Sequence, residues 1–304
     1  MLSCLSPCFS RENREDIDVF HDALENAFEL DAQDSQFAGF ESDLGGQRPL
    51  VVEYITEANN NSGWSLAHAS EPLEVSYRHE RGSGIHSIKL RFDLDFPIDR
   101  VFAMGWEFEL LDTWNPYAID PTIVDRESDE EMAVYCAIWL PWPFSPRELC
   151  VQIKTADRLH DHGCYFVRIH DAEHENEVPK KSAGKGKRRR ERASIVKGSC
   201  ALVYPAFSRK EGGELRPKTK VLICCHCNPL VLAPPNWLVN FILRLMAPTI
   251  FRHLVKALRN AYGALDDSPR ESPYAERVRT KKMYAKMRDR VEEVFVIQSS
   301  SSTL

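Results

Sequence analysis

Residues 221–261, V-L-I-C-C-H-C-N-P-L-V-L-A-P-P-N-W-L-V-N-F-I-L-R-L-M-A-P-T-I-F-R-H-L-V-K-A-L-R-N-A, set the terms for the whole chain. The stretch opens as a short apolar run suited to a strand with little exposed surface. Asn228-Pro229 ends that run, and Pro234-Pro235-Asn236 leads into a long helix. Trp237, Leu238, Phe241, Ile242, Leu245, Met246, Ile250, Phe251, Leu254 and Leu258 spread over a wide arc of that helix. Docking on one sheet needs a narrower stripe. The helix therefore requires further apolar material to cover.

With 304 residues, the chain is long enough for one large domain with appendages or for two small ones. Arg244 and Pro248 interrupt the best apolar run, so no membrane span of about 18 residues is expected. The opening MLSCLSPCFS has neither a basic start nor a long apolar core, so no signal peptide is expected. Without secretion the nine cysteines read as reduced thiols. Cys4 and Cys8 are free surface thiols or acylation sites. Cys224-Cys225-His226-Cys227 resembles a metal site, but successive strand residues point to opposite faces and cannot converge on one ion. Small buried thiols are the reading adopted, with no metal.

In chain order, residues 15–30 place Ile17, Phe20, Leu24, Ala27 and Phe28 on one helical face, and 31–47 read as a polar linker. Residues 49–59 fit a helix or a strand; the stripe Leu50, Tyr54, Ile55 favours a helix. Residues 64–68, 73–79 and 85–95 are strand candidates. In the last, Ile88, Leu90, Phe92 and Leu94 alternate with Lys89, Arg91, Asp93 and Asp95. Pro97 opens a helix over 98–114, read as continuous or broken before Asp112. Strands follow at 132–140, 149–154, 165–170 and 199–204, with the proline-rich P-W-P-F-S-P at 141–146 between the first two. Strands and helices kept apart imply an α+β fold with an antiparallel sheet.

Two basic segments stand out. Residues 180–192 carry eight Lys/Arg against one Glu. A solvated disordered loop, a nuclear-import signal and a patch for anionic lipid headgroups all fit, Lys187, Arg188, Arg189 and Arg190 being the candidate residues. Residues 273–294 combine the stripe Tyr284, Met287, Val291, Val294 with seven basic side chains. That helix either rests on a membrane surface or docks against the domain. Residues 299–303 read as a disordered tail.

No nucleophile–base frame appears: there is no Gly-x-Ser-x-Gly, no phosphate-cradling glycine loop and no His-Glu-x-x-His. The inward faces read instead as apolar. Leu149, Val151 and Ile153 share one face, as do Val134, Cys136, Ile138 and Leu140, and Ala201 with Val203. A sheet lined this way beneath so apolar a helix either packs solid or holds a hydrophobic ligand.

The order of several short motifs resembles a START domain, the StAR-related lipid-transfer module, across about residues 48–263. They are Trp64, Asp112-Thr113-Trp114-Asn115, P-W-P-F-S-P-R-E-L at 141–149, Lys197 with the strand 200–205, and N-P-L-V-L-A-P-P-N-W-L-V-N followed by Ala247-Pro248. The resemblance implies the helix-grip (START/Bet v1-like) fold: a curved antiparallel β-sheet wrapped around a long C-terminal helix, enclosing a hydrophobic tunnel for one lipid. It implies that the helix is lid and gate with Pro248 inside it, and that Trp142 and Phe144 either touch a bilayer or plug the mouth. It implies ligand contacts from Trp114, Val134, Cys136, Ile138, Leu140, Arg147, Leu149, Val151, Ala201, Val203, Trp237, Phe241, Leu245 and Phe251.

The chain also departs from the family pattern. Glu148 follows Arg147 where Asp is usual, and Cys227 replaces the Asp before Asn228-Pro229. Leu111, Cys136 and Ile153 stand where relatives often carry charged or aromatic headgroup contacts. A neutral tunnel implies a weakly polar ligand: a sterol or another weakly polar lipid, a diacyl lipid held by its tails, or a pigment. The expected organisation is 1–47 as N-terminal helix and linker, 48–265 as lipid-binding domain with a basic loop at 178–194, and 266–304 as basic helix and tail. The expected role is lipid binding and intermembrane transfer by a cytoplasmic monomer that visits membranes, or enters the nucleus through the basic loop. No cofactor, metal, nucleic acid or catalysis is expected. The competing reading is an adaptor with a solid core that binds a partner or an anionic membrane; a helix-grip enzyme lacks inward acid/base residues.

Overall fold

The structure, a computed structural model, describes residues 48–80, 83–142, 144–172, 190–209, 215–229, 236–263 and 271–301. The expected helix at 15–30, the linker at 31–47 and Lys187, Arg188 and Arg189 of the basic loop lie outside the described residues.

Helix α1 (Arg48–Asn59) precedes β1 (Ser65–Ser70), β2 (Leu73–Glu80) and β3 (Ile85–Leu94). Then come α2 (Ile98–Trp106), β4 (Ala118–Arg126), β5 (Glu131–Ile138), β6 (Arg147–Arg158), the one-turn α3 (Leu159–His162) and β7 (Cys164–Asp171). The short β8 (Glu191–Arg192) and β9 (Ser194–Ile195) lead to β10 (Cys200–Arg209) and β11 (Leu215–Asn228). The chain finishes with α4 (Asn236–Tyr262), α5 (Pro273–Thr280) and α6 (Lys282–Ser301). The sheet runs β1-β2-β3-β11-β10-β7-β6-β5-β4, with β8 beside β6 and β9 beside β11. Pairing along that path is antiparallel, and β8 alone runs parallel to its neighbour. With α4 lying along the sheet, this is the α+β helix-grip arrangement.

Alternation sorts the side chains onto two faces. On the outer face, Val51, Tyr54 and Ala58 of α1 pack on Phe166, Leu202, Leu222 and Cys224. On the inner face, Val167, Val203 and Val221 meet Phe102, Leu254 and Leu258 from α2 and α4. The run 224–227 divides the same way. Cys224 and His226 lie together on the outer side, Sγ to Nε2 3.4 Å, while Cys225 and Cys227 face inward.

Three elements differ from the sequence expectation. β4 falls where no element was expected; it forms a sheet edge with register shifts around Pro121 and Asp120 at φ 52°. The helix at 98–114 breaks at Glu107, giving way to a 3₁₀ turn at Phe108–Thr113. Tertiary contacts impose this break: the Glu107 side chain is wholly buried, and α5 and α6 hold it there. Finally, helix α6 reaches Ser301, so the stretch read as a disordered tail is helical as far as that residue.

The basic C-terminal segment docks on the domain. Tyr284, Met287 and Val291 are buried in the same core as α2. Its cations are engaged as well: Arg277 and Lys281 with Glu107, Arg288 with Asp99 at 2.8 Å, and Arg290 with Asp157 at 3.0 Å.

Helix α4 also corrects an expectation. By length and composition it is apolar enough to cross a membrane, with an 18-residue window of mean hydropathy 1.3 despite Arg244 and Pro248. Here it lies along the sheet, where Arg244 Nε donates to the Ala67 carbonyl at 2.6 Å.

Candidate functional site

Between the inner sheet face and α4 is a cavity of about 610 Å³. Its floor is Ile88, Leu90 and Phe92 of β3, Val221, Ile223, Cys225 and Cys227 of β11, and Ala201 and Val203 of β10. The roof is a stripe of α4: Val239, Ile242, Leu243, Met246, Ala247, Ile250, Phe251 and Leu254. That spacing of three and four is one continuous helical face. Phe251 closes on Phe92 edge-to-face, ring centroids 5.6 Å apart. At the α2 end the walls are Phe102, Met104, Trp106 and Trp114, the last anchored by Nε1 donating to the Met104 carbonyl at 3.3 Å. At the other end stand Leu140, Phe144, Arg147 and Pro229.

Most residues expected from the sequence line this space: Trp114, Ile138, Leu140, Phe144, Arg147, Leu149, Ala201, Val203 and Phe251. Others do not. Val134 and Val151 are cross-strand partners packed into the core beside the cavity. Cys136 is buried and donates to backbone carbonyls of Ile119 and Ala137, and burial pushes its thiol up to about 11. Phe241 and Leu245 sit on the outer side of α4, 58% and 51% exposed, because the inner stripe leaves them out of phase. Pro248 is within α4 but off the cavity wall. The side chain of Trp237 lies outside the described residues. Trp142 projects outward, 78% exposed. Arg190 is committed to an ion pair with Asp120 at 2.6 Å and donates to the Tyr135 hydroxyl.

Arg147 serves the frame of the cavity. Nε donates to the Pro229 carbonyl at 2.9 Å, and Nη1 to the Ser145 carbonyl at 3.0 Å and to Glu191 at 2.8 Å. It thereby ties the 141–146 loop, β8 and the end of β11 together. Arg147→Met should lose about 2–3 kcal/mol, since three acceptors lose a charged donor. Calorimetry should show melting roughly 5–10 °C lower; a shift under about 2 °C would refute this role.

Sequence reasoning missed three polar side chains on the wall: His86, Cys225 and Cys227. Their parity gave them away, because His86 continues the Ile88–Leu90–Phe92 face and the two cysteines continue Val221–Ile223. His86 Nδ1 lies 2.8 Å from the Tyr77 hydroxyl. Burial and then the neighbouring His79 push the His86 pKa down, so the imidazole is neutral at pH 7. Cys225 donates its thiol to the Cys227 sulfur, which raises Cys225 and lowers Cys227.

Solved structures share this fold. Human STARD10 and human StAR-related lipid transfer protein 5 each superpose with TM-score 0.53 at 16% identity over 69% of this chain, covering 79% and 94% of their own lengths. The chain has the START fold. No protein-family model matches the sequence, and no curated protein matches it. Within this START fold, the 141–146 loop and the first half of α4 border the same end of the cavity, where Phe144, Arg147 and Val239 meet its wall.

Proposed function

We propose that the protein binds one weakly polar lipid in this cavity and carries it between membranes, making and breaking no bonds. The observation that carries this reading is the cavity's size and lining. Left empty, a void of about 610 Å³ would cost on the order of 15 kcal/mol at about 24 cal/mol per Å³. That matches the whole net stability of a typical domain. Water is a poor occupant, because it needs two to four polar partners and the walls are almost entirely apolar. An apolar molecule removes the cost.

The name of the StAR-related lipid transfer protein 5, which shares the fold, agrees with this reading. So do the exposed apolar side chains beside the lid: Trp142 at the loop tip, and Phe241 and Leu245 on the outside of α4. They suit a face that meets a bilayer while the lid opens. The adaptor reading has less support, because Arg277, Lys281, Arg288 and Arg290 are paired with the protein's own carboxylates.

The test is native mass spectrometry of the purified protein, with lipid extraction and uptake from liposomes. One bound lipid per chain is expected. Absence of both co-purifying lipid and uptake from liposomes would sink the proposal.

A further inference from the structure

The polar groups on the cavity wall gather at one end. Cys227 of β11 stands opposite His86 of β3 on one side and Ile195 of β9 on the other. Arg147 joins them through the Pro229 carbonyl, just beyond Cys227. The α2 end, with Phe102, Met104 and Trp106, offers by comparison a single polar group among the described residues, the Trp106 indole Nε1, buried without a hydrogen-bond partner.

Of these side chains, His86 is the one poised to bind. It is 4% exposed yet lines the cavity. Its ring stacks on Tyr77, centroids 6.0 Å apart at 21°, and contacts His79 at 4.9 Å, so its plane is fixed. Burial pushes the Tyr77 hydroxyl up to about 12, keeping its proton in place. The hydroxyl pairs with Nδ1, so Nε2 is the ring nitrogen left to meet a ligand. Among the described residues Nε2 has no protein partner. The neighbouring groups are occupied: Arg147 by Pro229, Ser145 and Glu191, and the Cys225 thiol by Cys227.

We propose that His86 anchors the ligand's polar end, its Nε2 hydrogen-bonding to one neutral hydroxyl at the tip of an otherwise apolar molecule. This deepens the lipid-binding reading and rests on it. Tyr77 is the positioning residue, because its hydroxyl holds Nδ1 and its ring stacks on the imidazole, which leaves Nε2 to the ligand. A charged headgroup fits poorly: Glu191 already neutralises Arg147, and among the described residues the wall offers no second cation. The oxygen then lies at the 141–146 end, and the apolar body points toward Phe102 and Trp106.

The experiment uses matched probes delivered from phosphatidylcholine vesicles: cholesterol against cholest-5-ene, and oleyl alcohol against octadecene. Bound amounts are measured by mass spectrometry. The readout is the ratio of oxygenated to hydrocarbon probe, compared between wild type and variants so that each probe's membrane preference cancels. His86→Leu should lower that ratio about three- to tenfold in at least one pair while hydrocarbon uptake persists. His86→Gln, which keeps a hydrogen-bonding group, should retain part of the preference, and Tyr77→Phe should lose part of it. In wild type, the ¹⁵N signal of His86 Nε2 should move with the alcohol and stay still with the hydrocarbon, a measurement independent of any variant's folding. Uptake of both probes with an unchanged ratio in His86→Leu and a still signal overturns the anchor and leaves lipid binding intact. Uptake of no probe by wild type overturns both.

Discussion

Glu107→Leu should lower the melting temperature by roughly 6–12 °C, the largest stability loss expected from any single surface-to-core contact of the C-terminal helices. The Glu107 side chain is 0% exposed. Its oxygens accept from Arg277 Nη1 at 2.9 Å, Lys281 Nζ at 2.8 Å and the Tyr284 hydroxyl at 2.7 Å. Tyr284 is itself fully buried, so removing the carboxylate strands its hydroxyl. Arg277 and Lys281 are 35% and 28% exposed and can turn to water, which discounts the loss. The net is about 3 kcal/mol, at the low end for breaking a buried ion pair. Glu107→Gln should cost less, because the amide oxygen still accepts from Tyr284. Glu109→Gln is the control: at 51% exposed and 3.6 Å from Arg277, it should change almost nothing. Calorimetry decides, and a shift below about 2 °C for Glu107→Leu would show that the network is dispensable.

Ala201→Trp should abolish lipid uptake while leaving the fold as stable or more so. Ala201 is at the middle of the cavity floor, between Val167 and Ile223, which also line it. An indole placed there occupies part of the void and returns some of the cavity's cost. In a solidly packed core the same change would overpack and cost about 1–3 kcal/mol. The two pictures therefore predict opposite signs for melting of the delipidated protein. Uptake from vesicles should fall at least about tenfold, equivalent to ~1.4 kcal/mol. Unchanged uptake, or melting more than about 5 °C lower, would contradict a ligand cavity at this position.

How much of this was legible in the sequence depends on how strong each local signal is. The alternation through Ile88, Leu90 and Phe92 marks β3 and its inner face without ambiguity, and Ala201 with Val203 does the same for β10. β4 was hidden by Pro121, whose missing N–H is tolerated only at an edge, and edge position is not a local property. The break at Glu107 was illegible for a similar reason, since its cause lies about 170 residues onward in Arg277, Lys281 and Tyr284. On α4 the width of the apolar arc defeated the reading. With apolar residues nearly all round, periodicity could not separate the roof stripe of Ile242 and Met246 from the outer Phe241 and Leu245. His86 carried the right parity but the wrong polarity, and a polar residue on an inner face is assigned outward by default. Docking of the C-terminal helix depended on acidic partners scattered over Asp99, Glu107 and Asp157, which no pattern within 273–294 reveals.

For the proposed ligand, the gathering of His86, Arg147, Cys225 and Cys227 at the 141–146 end has a kinetic consequence. A molecule loading tail-first through that end never drags its oxygen along the apolar length of the cavity. The oxygen stays among interfacial water and headgroups until the tail is seated, then exchanges those partners for His86 in a single late step. Desolvating a hydroxyl with no replacement bond costs roughly 1–3 kcal/mol, and this order confines that cost to the final ångströms. Unloading runs the same course in reverse, with the oxygen freed first. The direction in which the ligand lies would thus set the height of the transfer barrier as well as its affinity.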